Sequence, residues 1–178
     1  RNFINQTLWF FAHEVAHLYQ PGNTDGVSKN NEQSWLHEGN ADYFAALAMN
    51  FLYEDTGSYV ESRTIRAFES CIEGLEQTTL ANAYKTGHFN LYYSCGMIMH
   101  RAIDNVVQQK TFGEESLFTV WQRLQKAVSK GMPPGTTTFL TLLEPYNAPE
   151  LMNAINDATS NDALKAIQGI EALYQMNQ

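Results

Sequence analysis

Basic residues are scarce in this chain: 11 Lys and Arg stand against 19 Asp and Glu, for a formal net charge of −8. Nucleic acid and anionic membrane surfaces are both recognised through basic patches, so this balance argues against either as a partner. Long hydrophobic runs are missing too. The longest apolar stretch, Tyr43 to Tyr53, is interrupted by Asn50 and is too short to cross a bilayer, so no membrane span is expected. No signal-peptide pattern is visible, and helix-like sequence begins almost at Arg1, which suggests a trimmed or excised piece of a longer protein. Only two cysteines occur, Cys71 and Cys95. They lack the close spacing of a structural zinc site and fall on separate expected helices, where they either pair or stay reduced. Period-two strand patterns, internal repeats and low-complexity tracts are absent as well. The scarcity of Lys beside plentiful Asn, Gln, Thr and Tyr leans toward an extracytoplasmic setting, periplasmic or secreted.

What is present is helical periodicity over a length, 178 residues, sufficient for one core. Asn2 to Tyr19 reads as a first helix, with Phe3, Leu8, Phe11, Val15 and Leu18 at helical spacing and Pro21-Gly22 as its stop. A polar loop from Gly22 to Asn31 doubles the chain back, as a plain connector or as part of a cleft wall. A second helix is expected from Ser34 to about Glu54, and a third from Tyr59 to Glu76 with Ser58 as its cap. Asn90 to Gln109 forms a fourth and Glu114 to Ser129 a fifth. Met132-Pro133-Pro134-Gly135 is a hard stop, Thr136 to Thr138 offer a cap, and two short helices close the chain, the last reaching Tyr174. The expected fold class is all-α.

One stretch carries chemistry. His13-Glu14-Val15-Ala16-His17 has the pattern H-E-x-x-H inside the first helix. Residues four apart on a helix lie about 40° apart around its axis, so both imidazoles project from one face. Two ring nitrogens there can hold a zinc ion at roughly 2.0–2.1 Å. Glu14 points off that shared face, badly placed as a ligand and well placed as a general base toward a water on the ion. A catalytic zinc needs a third protein ligand. Trp35-Leu36-His37-Glu38-Gly39-Asn40-Ala41-Asp42 offers Glu38, with Asp42 one turn later on the same face, positioned to accept the second N–H of a ligating histidine. His37 lies about 100° around the helix from Glu38 and is expected at a cleft wall or the surface. His88 has no expected role, and His100 is expected in packing.

H-E-x-x-H followed by W-L-x-E-G-x-A resembles the gluzincin metallopeptidases, in particular the M1 aminopeptidase family. The resemblance implies His13, His17 and Glu38 as the ligands of one Zn2+ per chain. The interval of 20 residues between His17 and Glu38 is slightly longer than is usual there. The family's tryptophan-containing continuation is replaced by Leu18-Tyr19-Gln20-Pro21-Gly22, which marks a divergent relative. Tyr92-Tyr93-Ser94-Cys95-Gly96 is similar to the family's Y-x-K-G stretch. Aligning on the glycine selects Tyr93, ahead of Tyr92, as the donor to the transition-state oxyanion, with Cys95 at the lysine position. Similarity continues diffusely through Phe112-Gly113-Glu114-Glu115 to about Leu143. The implied architecture is the helical part of a zincin, thermolysin-like, catalytic domain. The family's N-terminal β-sheet lobe, with the motif that grips a substrate's amino terminus, has no counterpart in this sequence. Either an upstream β lobe of the same protein completes the cleft, or the cleft is built differently.

The expected activity is therefore zinc-dependent hydrolysis of a peptide or protein substrate, aminopeptidase-like, with Glu14 as general base, Tyr93 as oxyanion donor and Asp42 orienting His13. Two rival readings stand beside it: a zinc-binding but catalytically inactive helical scaffold module, and a helical interaction domain whose H-E-x-x-H is fortuitous. The expected layout is a single domain over 1–178, with the zinc site within 9–43, the tyrosine helix at 90–109 and C-terminal helices at 113–178. Nothing in the sequence indicates an oligomeric state.

Overall fold

A computed structural model of the chain describes residues 2–20, 34–53 and 55–176. Among these the architecture is all-α, with no strand. The helices are α1 (Asn2–His17), α2 (Ser34–Leu52), α3 (Gly57–Leu75), α4 (Ala83–Thr86), α5 (Asn90–Lys110), α6 (Leu117–Ser129), α7 (Thr136–Thr141), α8 (Pro149–Ala158) and α9 (Ala163–Gln175), with a 3-10 turn at Glu144–Tyr146.

The structure is assembled around α5. Its buried residues include Leu91, Tyr92, Met97, His100 and Ile103 on several faces, the signature of a helix enclosed by others. α2, α3, α6, α8 and α9 all pack on it, and α1 lies along α2. The crossing of α2 and α5 is set by two glycines. A Cβ on Gly39 would come within 2.2 Å of the Gly96 carbonyl carbon, and one on Gly96 within 2.6 Å of the Trp35 oxygen. Only bare backbones fit there, and their contact brings Glu38 of α2 within hydrogen-bonding reach of Tyr93 of α5. Cys71 and Cys95 form a disulfide, Cα–Cα 5.0 Å, which ties α3 to the same part of α5.

Several helix ends differ from the sequence reading. Ser58 lies inside α3, whose N-cap is Thr56. Glu114 precedes α6 because Phe112 and Gly113 adopt left-handed backbone and turn the chain. The helix starts only at Leu117, where Ser116 and Thr119 form a capping box and the Leu117 N–H donates to Asp104 Oδ1 at 2.7 Å. Thr136 to Thr138 belong to α7 itself, capped by Gly135. The irregular stretch before α5 contains the single turn of α4. Pro21-Gly22 and the Gly22–Asn31 loop lie outside the described residues.

The apolar stripe on α1 faces outward: Phe3 is 80%, Phe11 61% and Leu18 79% exposed. The stripe that packs inward is Trp9, His13, Ala16 and Gln20, which follows a helical period but is half polar. α2 is the main neighbour of α1 and takes the face on which His13 meets Asp42, while Tyr59 and Arg63 of α3 lie against Trp9.

Candidate metal centre

Each histidine of the H-E-x-x-H pattern is held by an oxygen on its Nδ1 side. His13 Nδ1 lies 2.9 Å from Asp42 Oδ1, which also accepts the Trp9 indole N–H at 2.9 Å. His17 Nδ1 lies 2.8 Å from Gln20 Oε1. The amide of Gln20 is itself oriented, since its Nε2 donates to the His37 carbonyl and to Asn40 Oδ1, both at 2.9 Å. Its oxygen therefore faces His17. A carboxylate or amide oxygen only accepts, so both rings carry a proton on Nδ1, and each ring in its neutral form presents a lone pair at Nε2.

Those two Nε2 atoms converge with a carboxylate oxygen. They stand 3.0 Å apart, and Glu38 Oε2 lies 3.4 Å from His13 Nε2 and 3.5 Å from His17 Nε2. Three electron-pair donors facing one another repel unless a cation, a metal ion or protons, is shared among them. Bonds of about 2.0–2.1 Å in a tetrahedral zinc site place ligand atoms about 3.3 Å apart. The two edges to Glu38 fit that spacing, the edge between the imidazoles, 3.0 Å, is somewhat shorter, and the donor set of two imidazoles and one carboxylate suits the same ion.

The electrostatics express the same crowding. Burial alone would push the His13 imidazole down, but hydrogen bonds and charges from Asp42 and Glu38 outweigh it and raise its pKa to about 9. His17 is raised chiefly by its hydrogen bond to Glu38, against burial. Burial would raise the Glu38 carboxyl, yet the two imidazoles hold it down at about 2.

A cleft of about 360 Å³ reaches this centre at His13 and is lined also by Glu14, Asp42 and Tyr93. Glu14 is exposed on the cleft wall, off the face of the two ligands as the helix geometry requires. Tyr93 stacks on His13 with ring centroids 5.7 Å apart. Burial and the carboxylates of Glu38, Asp42 and Glu14 push its phenol up to about 12, so it stays a donor through the neutral range. Tyr92 by contrast is buried. The larger cavity, about 620 Å³, lies on the opposite side of α1 behind Leu8, Phe11 and Val15 and holds none of these groups.

The other histidines sit elsewhere. His37 is neither a cleft wall nor a surface residue: it is 4% exposed and packs edge-on against Trp121, because Glu38 takes the direction toward α1 and leaves its neighbour pointing into the core. Burial lowers its pKa to about 4. His100 is wholly buried among Trp35, Trp121 and Phe139, with Nδ1–H donating to the Gly96 carbonyl at 2.8 Å. His88 bonds Thr86 and Gln77 at the surface. Trp9 and Gln20 are the supporting residues that sequence reasoning missed. Gln20 had a faint signal, lying three residues beyond His17, and Trp9 had one in lying four residues before His13. Among the described residues, His13, His17 and Glu38 form the one group of three or more metal-ligating side chains whose ligand atoms lie close enough to hold a metal ion. No family model matches the chain, and neither a curated protein nor a solved structure matches it.

Proposed function

We propose that the chain is a zinc-dependent peptidase of gluzincin type, with His13, His17 and Glu38 as the ligands of one zinc ion. The observation that carries this reading is the triangle of two imidazole Nε2 atoms and one carboxylate oxygen, edges 3.0, 3.4 and 3.5 Å, whose His13 corner lines a cleft that also holds an acid and a phenol. When bound, zinc supplies a Lewis acid that lowers the pKa of water toward about 7. Glu14 takes the proton of the attacking water and returns it to the leaving amine. The Tyr93 hydroxyl donates to the oxyanion that develops on the scissile carbonyl. Asp42 and Gln20 hold the two imidazoles in one tautomer and orientation. The disulfide suits an oxidising compartment, in line with an extracytoplasmic setting.

The test is hydrolysis of a mixed peptide library by zinc-loaded protein. Cleavage is expected, abolished by a chelator and restored by zinc. Glu14→Gln should lower kcat by about 10²–10⁴-fold while metal content stays unchanged. Zinc uptake with no cleavage by the wild type would leave the inactive scaffold reading in its place.

A further inference from the structure

The cleft on the metal centre runs into a second chamber of about 350 Å³. Asp42, Arg63 and Tyr93 line both, and Arg66, Asn90 and Ser94 line the far part. Arg63 and Arg66 lie three residues apart on α3 and so share a face. In a chain with 19 acidic and 11 basic residues an arginine readily finds a carboxylate, as Arg123 does with Glu115. Among the described residues neither Arg63 nor Arg66 has one. The Arg63 guanidinium rests 4.4 Å over the Trp9 ring, and its hydrogen bond is a long one, 3.4 Å, to the Tyr59 hydroxyl. Arg66 Nε donates to the Ser62 carbonyl of its own helix. Asp42 is engaged through Oδ1 by Trp9 and His13.

Its place over Trp9 holds the Arg63 guanidinium without using most of its five N–H donors, and Trp9 in turn is tied to Asp42 and thereby to the His13 ring. A planar fork with free donors, held beside polar Asn90 and Ser94 at the edge of the metal cleft, is built to take a carboxylate in two parallel bonds. We propose that Arg63, assisted by Arg66, is a carboxylate-binding subsite of the metal cleft, so that the protein selects peptides bearing a carboxylate near the bond presented to His13, His17 and Glu38. As a statement about substrates this rests on the peptidase reading. Either a free C-terminus or an acidic side chain supplies the same chemistry.

The experiment is calorimetric binding of two pairs of acetylated tripeptides, to zinc-loaded and to zinc-stripped protein. Trialanine with a free C-terminus is paired with its amide, and amidated Ala-Glu-Ala with amidated Ala-Gln-Ala. One carboxylate peptide should bind about tenfold more tightly than its neutral mate, and the pair showing this identifies the source. Arg63→Gln should erase the difference, Arg66→Gln should narrow it, and Arg63→Lys should keep part of it. All three should leave the neutral peptides unaffected. No difference within either pair, no binding by any peptide, or an equal loss for charged and neutral peptides in Arg63→Gln would overturn the subsite. The last result would make Arg63 a prop for Trp9. Hydrolysis assays on unblocked versions separate this from the peptidase reading. Carboxylate preference without cleavage keeps the subsite and removes the peptidase, and cleavage without preference does the reverse.

Discussion

His13 and His17 are set apart from His37, His88 and His100 by where their Nε2 atoms meet: with Nδ1 on the acceptor oxygens of Asp42 and Gln20, the two Nε2 atoms converge 3.0 Å apart beside Glu38. Removing one such acceptor loosens the ring it holds. Asp42→Ala should weaken zinc binding by about 10–100-fold, read by competition with a chromophoric chelator, and unchanged affinity would mean that Asp42 does not orient His13. Zinc must also displace a proton. In the metal-free protein the His13 pKa is raised to about 9, so below that pH the imidazole is charged. Affinity should therefore climb with pH, about tenfold per unit for one proton, and level off above about 9. The sign for folding is opposite. A raised histidine pKa stabilises the metal-free chain fully below the ordinary value of about 6.5, and that contribution fades as pH rises through about 9. Much of this was legible in the residues themselves, since H-E-x-x-H on a helix dictates which side chains share a face. His37 was not. Its position follows from which way α2 rotates against α1 and α5, and no local pattern states that.

Between elements, the decisive contact is the touching of α2 and α5 at Gly39 and Gly96, which brings the Glu38 carboxylate to the phenol of Tyr93. Gly39→Ala should force the helices apart, costing about 1–3 kcal/mol in chemical denaturation, and should weaken zinc binding as Glu38 shifts. A variant as stable and as zinc-competent as the wild type would show that the crossing tolerates a methyl group. The disulfide closes a loop of sequence separation 24 between α3 and α5. Reduction should lower stability by about 3 kcal/mol in the chain-entropy account, measured by urea unfolding with and without reductant. The helices were readable from periodicity and from proline and glycine stops. Their first turns were less so, because capping is decided by tertiary partners: Asp104 of α5 meets the Leu117 N–H and so sets where α6 begins. Cysteine pairing was open for a similar reason, since it depends on the register of α3 against α5.

At the scale of the molecule, an all-α architecture was visible in the absence of any alternating pattern. The direction each helix faces was not, and α1 illustrates why. Its apolar positions recur at helical spacing, yet the face that packs against α2 is the one bearing Trp9, His13 and Gln20. Polar side chains that satisfy one another across an interface can outweigh an apolar stripe in setting orientation. Periodicity scores hydrophobicity and is blind to that pairing. Arg63 was missed on the same ground, as it reaches the cleft only because α3 packs beside α2 and α5. The proposed metal site consists of three atoms sharing one ion. Its most direct measurement is metal content by elemental analysis of wild-type and Glu38→Ala protein, each equilibrated with zinc at neutral pH and passed through a desalting column. About one zinc per wild-type chain, with little or none retained by the variant, is the predicted result. Zinc-free wild type, or equal retention by the two proteins, would contradict it.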